Sequence, residues 1–336
     1  MSSNNTSPMS GTTEGGLGMS GEWQDSNSSW YILLVGLPRF ESSFELAEGV
    51  VIRPIESPIS VFDLAAAGGQ GFKAWSALEL CANSCTAEIE SVTDPDDGTS
   101  QECVNRAWLA NCLLVLRGFT KLVSVAYCGY SWNLIAGHRV RNSGIFHKQL
   151  AEEGVKKAVF EPRQTLPPFR GGLLDYHLQY FVGKGYRNDM LCQDDVRWIR
   201  SSYDTFEQLV TNSAAFRFAL EASVDWRFSK EPRSAVARLW GGIEALFDVQ
   251  HELAFRLAIY SACLLAERGE QRKRKYQWVK KLYDLRSKIV HGQELADEKI
   301  MHAMSDSFHL LRDLLLTTVD RGRLFTKEDF EDALFS

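Results

Sequence analysis

The chain lacks the sequence features of a membrane or secreted protein. No stretch approaches the roughly 18 consecutive apolar residues of a transmembrane helix. The N-terminus has no basic segment followed by an apolar one, so a secretory signal is not expected. The seven cysteines are odd in number and the chain is long, which does not suit a disulfide framework. We therefore expect reduced thiols, a cytoplasmic location and no membrane contact.

The chain also lacks the spacings of a metal site or a phosphate-binding loop. Cys81, Cys85 and Cys103 are not arranged in the pairs that zinc sites usually use. Gly68–Gly71, followed by Lys73, has neither the spacing nor the Ser or Thr of a phosphate loop, and a turn is expected there. The sequence therefore predicts no metal and no cofactor.

What is present is an ordinary globular composition, with 45% hydrophobic and 24% charged residues over 336 positions. That length favours two domains. Residues 1–29 are mostly Ser, Gly, Asn and Thr, which predicts a disordered tail. From Asp194 onward the apolar residues recur at helical spacing, so we predict a mixed α/β domain over 30–190 and a helical domain over 194–336. The net charge of −6 argues against uniform coating of nucleic acid but leaves room for a local basic site.

The first domain contains short apolar runs separated by Gly and Pro, which is the pattern of short strands. Other segments have amphipathic helical spacing, so this half is expected to mix the two. The predicted strands are 30–35, 44–46, 50–55, 59–64, 122–127, 155–160 and 178–182, and the predicted helices are 72–92 and 104–118.

The second domain has apolar residues at steps of three and four, the period of helices that bury one face. Its 252–267 segment is apolar nearly all round, so a central, buried helix is expected there. Short connections predict an antiparallel bundle, and the fold class is therefore α+β with an all-α second half. The predicted helices are 194–209, 214–228, one that begins at Ser229–Pro232, 252–267, 276–291, 300–319 and a short one after Thr326.

One helix end carries two side chains that suit phosphate chemistry. Arg286 is a permanent cation that can hold a phosphate with two hydrogen bonds. His291 exchanges a proton near neutral pH. The two lie roughly 140° apart around a regular helix, so they meet on one ligand only if the helix unwinds at His291–Gly292 or if two copies of the chain meet across a two-fold axis. A helix end that simply interacts with its own dipole is the structural alternative.

Basic residues cluster along this helix. Between Arg268 and Lys288 there are nine basic residues and two acidic ones, in a chain that is acidic overall. This is the local footprint of phosphate-backbone binding, although a solvated helix face has the same composition. An arginine that stabilises charge on phosphorus, beside a histidine that exchanges a proton, suits RNA cleavage by the ribose 2′-OH. The predicted RNA-binding residues are Arg272, Lys273, Arg274, Lys275, Lys280, Lys281 and Lys288.

The segment Leu285–Gly292, in which an arginine, four residues, a histidine and a glycine end a bundle helix, resembles the signature of the HEPN superfamily. The earlier segment Ala237–Phe247, with its Leu-Trp and Glu-Ala-Leu-Phe, resembles the Apea-like branch of that superfamily. The resemblance covers residues 194–320. It implies a metal-independent endoribonuclease, often a toxin or an antiphage effector of abortive infection. Such proteins often act as homodimers in which the two Arg–His pairs face each other.

Carried over by this resemblance, Arg286 and His291 are the catalytic pair, and RNA is cut to 2′,3′-cyclic phosphate and 5′-OH ends. Ser287 occupies a position that is commonly polar in the family, although Asn, Asp or His is usual there. Glu244 matches an acidic position on the earlier helix, where it either orients the catalytic pair or forms a simple salt bridge. The N-terminal domain is expected to recognise a trigger or a partner protein. The alternatives are a non-catalytic RNA- or nucleotide-binding adaptor and a helical dimerisation module.

Overall fold

The computed structural model describes residues 29–93, 100–138, 165–174, 186–247 and 251–335. The N-terminal half contains an antiparallel sheet and the C-terminal half is mostly helical, so the predicted α+β class is confirmed. The predicted strands 155–160 and 178–182, and the predicted tail up to residue 28, lie outside the described residues.

One antiparallel sheet forms the centre of the N-terminal half. Its strands are β1 Ser29–Val35, β2 Phe44–Ala47, β3 Val50–Pro54, β4 Cys85–Val92, β5 Val123–Cys128 and β6 Gly171–Leu173. They lie in the order β2-β3-β4-β1-β5-β6. The predictions of β1, β2, β3 and β5 are confirmed to within one residue at each end. Apolar runs bounded by Gly and Pro were a sufficient signal for these four strands.

The sheet separates two hydrophobic cores because alternate side chains of a strand enter opposite faces. In β1, Ile32 and Leu34 enter one core, whereas Leu33 and Val35 enter the other. The second core is covered by the helices Val61–Ala66 and Gly69–Leu78 and by a short helix after β5. The first is covered by a helix at Ser100–Leu116, which confirms the prediction for 104–118. The helices of this half are α1 Val61–Ala66, α2 Gly69–Leu78, α3 Ser100–Leu116 and α4 Trp132–Ile135.

The prediction of a strand at 59–64 is wrong, because that segment begins α1. Ser60 accepts a hydrogen bond from the backbone N–H of Asp63, and the Asp63 carboxylate accepts one from the N–H of Ser60. This capping box stabilises a helix start that the apolar residues alone do not reveal. Gly68, with φ of +89°, makes the expected turn before α2, although Gly69–Gly71 already belong to that helix.

The prediction of one helix over 72–92 is also wrong, because the segment contains the end of α2 and then the whole of β4. β4 pairs with β1 and with β3 inside the sheet. Its Glu88 is fully buried and accepts hydrogen bonds from the Ser131 hydroxyl at 2.7 Å and the Trp132 backbone N–H at 2.6 Å. These donors lie more than forty positions away. Because the hydrogen-bond donors to Glu88 are distant in sequence, the residues around it do not show that this acid is buried in a strand.

The C-terminal half follows the predicted helix order. Its helices are α5 Gln193–Asn212, α6 Ala214–Asp225, α7 Pro232–Phe247, α8 Leu253–Leu265, α9 Glu270–Val290, α10 Asp297–Arg321 and α11 Lys327–Phe335. The expectation that 252–267 is buried all round is wrong. On α8, Leu257 and Ala258 are buried, but Phe255 is 54% exposed and Ile259 is half-buried. In the described part of the chain, therefore, α8 is not buried on every side.

The two halves share a hydrophobic core. The cluster that contains Trp30 and Ile32 of β1 also contains Phe206 of α5, Phe216 of α6 and Leu311 of α10. Helix α3 lies between them and packs on the sheet with one side and on α5 and α6 with the other. The helical half is thus seated directly on one face of the sheet.

A buried ion-pair cluster at this junction makes stability depend on pH. Asp195, fully buried at the start of α5, accepts hydrogen bonds from Arg117 at 2.8 and 3.0 Å and also from Arg187. Burial alone would raise its pKa, but the bonds from Arg187 and Arg117 outweigh it and lower the pKa from 3.8 to about 2. A lowered carboxyl pKa stabilises the fold above pH 4, and the stabilisation is lost as the pH falls towards 2.

We expect Asp195→Asn to lower the free energy of unfolding at pH 7 by about 1–2 kcal/mol, a figure discounted for solvent screening at the two half-exposed arginines. The difference between the two proteins should shrink as the pH falls from 4 to 2. Urea unfolding of wild type and Asp195→Asn at a series of pH values measures this difference. A difference that stays constant over that range would contradict the assignment.

Candidate active site

Arg286 lies on the packed face of α9. It follows Val279 and Leu282 and precedes Ile289 at steps of three and four, and these three apolar side chains are buried. Its Nη2 lies 2.9 Å from Oε1 of Glu244 on α7. The side chains of Arg286 and Glu244 are 21% and 26% exposed. Of the two roles predicted for Glu244, the structure therefore shows the salt bridge to Arg286.

The guanidinium of Arg286 is held from a second side by aromatic rings. It lies 5.5 Å from the centre of the Tyr283 ring, and that ring packs edge-on against Trp240 of α7 at 5.2 Å. The indole N–H of Trp240 donates a hydrogen bond to the hydroxyl of Ser307 at 3.0 Å. Cation–π contact and ring packing thus fix the position of the arginine between α7 and α9.

The hydrogen-bonding capacity of this arginine is not filled. Nε of Arg286 is buried and finds no acceptor among the described residues, and Oε1 of Glu244 accepts no well-aligned hydrogen bond there despite its ion pair. A guanidinium has five N–H donors, and here one carboxylate opposes it. Burial raises the pKa of Glu244 above its ordinary value, and the charge of Arg286 offsets part of that rise.

His291 lies just beyond the last turn of α9, where the helix ends. Gly292 has φ of +74°, its N–H donates to the carbonyl of Ile289 at 3.2 Å, and the N–H of Gln293 donates to the carbonyl of Lys288 at 3.0 Å. These two bonds form a Schellman motif, the C-terminal cap that a glycine in this conformation allows. The His291 side chain is exposed and makes no hydrogen bond, ion pair or ring contact with any described residue.

The structure shows that α9 ends at His291 without unwinding before it, since the N–H of His291 still donates to the carbonyl of Ser287 at 3.0 Å. It does not join the pair directly: within the described residues, no hydrogen bond links the side chains of Arg286 and His291. Ser287 is half-buried, and its carbonyl accepts the backbone N–H of His291 at 3.0 Å. Its role here is part of the helix end.

Sequence analysis missed Arg233, in the first turn of α7. Its Nη1 donates to the carbonyl of Ile289 at 2.8 Å and its Nη2 donates to the carbonyl of Gln293 at 2.9 Å. The two carbonyls lie on either side of His291. No spacing rule links residues more than fifty positions apart, so nothing in the sequence signals this contact.

The predicted RNA-binding residues fall into two groups. In the first group the cation is engaged within the protein. Arg272 donates to the carbonyls of Ala266 and Ala333, which ties α9 to α11. Arg274 and Lys275 lie 3.8 and 3.9 Å from carboxylates on α9 and α10, and Lys275 also lies 4.8 Å from the Trp278 ring.

In the second group the ammonium groups are exposed and make no ion pair with the described residues. These are Lys273, Lys280, Lys281 and Lys288. Steps of seven and eight residues place them on one side of α9, and His291 continues the same side. Arg286 lies on the opposite, packed side. One acid, the exposed Asp284, interrupts the lysine stripe.

The described residues contain no group of three His, Cys, Asp or Glu side chains that could hold a metal ion. Cys81 and Cys85 belong to the core on one side of the sheet and Cys103 to the core on the other. None of the described helices is both long enough and apolar enough to cross a membrane. Comparison of the chain with models of protein families, with curated proteins and with solved structures finds no match.

Proposed function

We propose that the protein is a metal-independent endoribonuclease of the HEPN type, with its helical half as an antiparallel bundle that carries the active site. One observation carries the proposal: an arginine with unfilled donors and an exposed histidine without a partner sit at the same end of α9. A buried guanidinium N–H is normally hydrogen-bonded within the protein when it serves only the fold. A cytoplasmic toxin or antiphage effector is the biological role that suits this chemistry.

The reaction requires only two groups from the protein. His291 takes the proton from the ribose 2′-OH, whose oxygen attacks the phosphorus, while water protonates the departing 5′-oxygen. In the opposite roles, His291 protonates the 5′-oxygen and water takes the proton of the 2′-OH. Arg286 stabilises the additional negative charge on the pentavalent phosphorus. The P–O5′ bond breaks, which leaves a 2′,3′-cyclic phosphate and a 5′-OH. Glu244 keeps Arg286 in place, and Ser287 contributes through the helix end.

A homodimer through the helical half brings the two groups to one phosphate. Arg286 and His291 lie roughly 140° apart around α9, so one helix presents them to different sides. A two-fold axis beside the helix end places the histidine of one chain opposite the arginine of its partner. Val290, which is 42% exposed beside His291, offers apolar surface for that contact.

The N-terminal half is proposed to recognise a trigger or a partner protein. It is seated on the helices through one continuous core, so a change at the sheet reaches α5 and α6 by direct packing. RNA is proposed to approach along the lysine stripe, which spans about 22 Å from Lys273 to Lys288 at the rise of an α-helix.

Neutralising two stripe lysines should weaken RNA binding in a salt-dependent manner. For Lys280→Gln/Lys288→Gln we expect the slope of log K against log salt to fall by about 1.4, since each contact with a single strand contributes about 0.7. Arg274→Gln/Lys275→Gln removes two cations of the same helix that already face carboxylates and is the matched control. Titration of a labelled single-stranded RNA at several salt concentrations measures both. Equal slopes in the two variants would contradict the proposal that RNA binds along the lysine stripe.

The proposed function is tested by expressing wild type beside His291→Ala in a bacterium and scoring growth and the integrity of total RNA. Wild type should arrest growth and fragment RNA, and His291→Ala should do neither. Purified wild type should cut RNA equally with and without EDTA. Loss of cleavage in EDTA, or full activity of His291→Ala, would overturn the proposal. RNA binding that persists with no cleavage would instead identify the adaptor.

A further inference from the structure

Arg233 donates hydrogen bonds to the backbone on both sides of His291. One planar guanidinium donates through Nη1 to the carbonyl of Ile289, two residues before the histidine, and through Nη2 to the carbonyl of Gln293, two residues after it. The distances are 2.8 and 2.9 Å. The arginine belongs to α7, the helix that also supplies Glu244 to Arg286.

These bonds determine the conformation of the helix end. The last carbonyls of a helix have no partner within it, and the cap here satisfies only some of them. The carbonyl of Ile289 accepts the N–H of Gly292 and also Arg233, which uses both of its lone pairs. Because the two Nη atoms of a guanidinium have a fixed separation, they fix the distance between the carbonyls of residues 289 and 293. The backbone between these two carbonyls runs through Val290, His291, Gly292 and Gln293, so the contact restrains the dihedral angles of His291 and Gly292.

We infer that Arg233 is a positioning residue that holds the His291 imidazole in its catalytic orientation by fixing the cap beneath it. The inference rests on the proposed function, and it adds a group that touches neither RNA nor the reacting atoms. The His291 side chain makes no hydrogen bond, ion pair or ring contact within the described residues, so its direction depends on its backbone. A misplacement of about 1 Å at a catalytic group costs on the order of a hundredfold in rate.

The inference is tested with Arg233→Ala, Arg233→Lys and the control Arg238→Ala. Arg238 lies on the same helix, is also half-buried, and pairs with Glu221 and Asp225 away from His291. We expect Arg233→Ala to lower kcat for RNA cleavage about a hundredfold with little change in KM. Amide hydrogen exchange at Gly292 and Gln293 should speed up. Arg233→Lys should restore little, because an ammonium cannot reproduce the two-pronged contact, and Arg238→Ala should change neither measurement.

The outcomes separate this inference from the proposed function. Unchanged kcat in Arg233→Ala overturns the inference, since the arginine then has no effect on the reaction. A rise in KM with unchanged hydrogen exchange also overturns it, since the charge of Arg233 then acts on RNA binding. If wild type does not cleave RNA at all, or if His291→Ala cleaves as well as wild type, the proposed function fails. Hydrogen exchange at Gly292 and Gln293 then still decides whether Arg233 fixes the cap, and unchanged exchange overturns that as well.

Discussion

Arg286→Ala is expected to lower the rate of RNA cleavage about a thousandfold, the size of effect seen when a group that stabilises transition-state charge is removed. Arg286→Lys should recover only a small part of this rate, because an ammonium keeps the charge but loses the planar fork that matches a phosphate. Single-turnover cleavage of a labelled RNA measures the chemical step directly. Cleavage by Arg286→Ala at the wild-type rate would exclude the arginine from the reaction.

The same substitution also affects stability, and the two effects can be separated. Removing Arg286 leaves Glu244 half-buried without its counter-charge, so its already raised pKa rises further. An unpaired buried group of this kind costs about 1–3 kcal/mol. The double variant Glu244→Gln/Arg286→Gln replaces the ion pair with two neutral amides, and it should recover most of the lost stability. Cleavage should stay as low as in Arg286→Ala, and recovery of cleavage together with stability would show that the arginine serves only the fold.

The elements that could be predicted are those whose apolar residues recur at the period of their own backbone and whose polar residues need no distant partner. The helices of the C-terminal half and strands β1, β2, β3 and β5 bury residues at the period of their own backbone, and this period is visible in one sequence. β4 also buries every second residue, but its other face carries Glu88 and Glu90, whose partners are distant: Ser131 for the first, and Tyr31 and Arg53 for the second. The sequence does not show that two acids so close together are accommodated in a strand.

The candidate site shows the same limit. Arg286 and His291 were found from residue type and spacing along the chain, and Glu244 from the resemblance to the HEPN superfamily. The side of α9 on which Arg286 lies also follows from its spacing to the buried Val279, Leu282 and Ile289. Which of the basic residues are engaged within the protein could not be read from the sequence, since Arg272 is bound by a carbonyl sixty-one positions away. Contacts to backbone carbonyls leave no trace in residue type at the acceptor.

A second arginine that sequence analysis did not single out is expected to matter most for stability. Arg227, at the end of α6, is 1% exposed. It donates to the carbonyl of Val224 at 2.9 Å and to those of Thr120 and Leu122 at 2.7 Å each. The last two carbonyls immediately precede β5. The buried guanidinium of Arg227 therefore joins the helical half to the start of β5.

Arg227→Met is expected to lower the free energy of unfolding by about 3–5 kcal/mol, because the methionine fills part of the volume but leaves buried carbonyls without donors. Arg217→Met is the matched control: Arg217 is exposed and donates twice to the carbonyl of Val210, so its loss should cost less than about 1 kcal/mol. Chemical denaturation followed by tryptophan fluorescence measures both variants. Equal midpoints for the two would show that Arg227 does not stabilise the junction.

The shape of that transition also decides how the two halves relate. Because the sheet and the helices contribute to one hydrophobic core, Arg227→Met should shift a single cooperative transition to lower denaturant. If the sequence-based division at Asp194 separates two independently stable domains, the variant should instead split the curve, with one phase displaced and the other unchanged. A single displaced transition means that a trigger which loosens the sheet also loosens the bundle that carries His291. Regulation of the proposed nuclease would then need no separate signal between the halves.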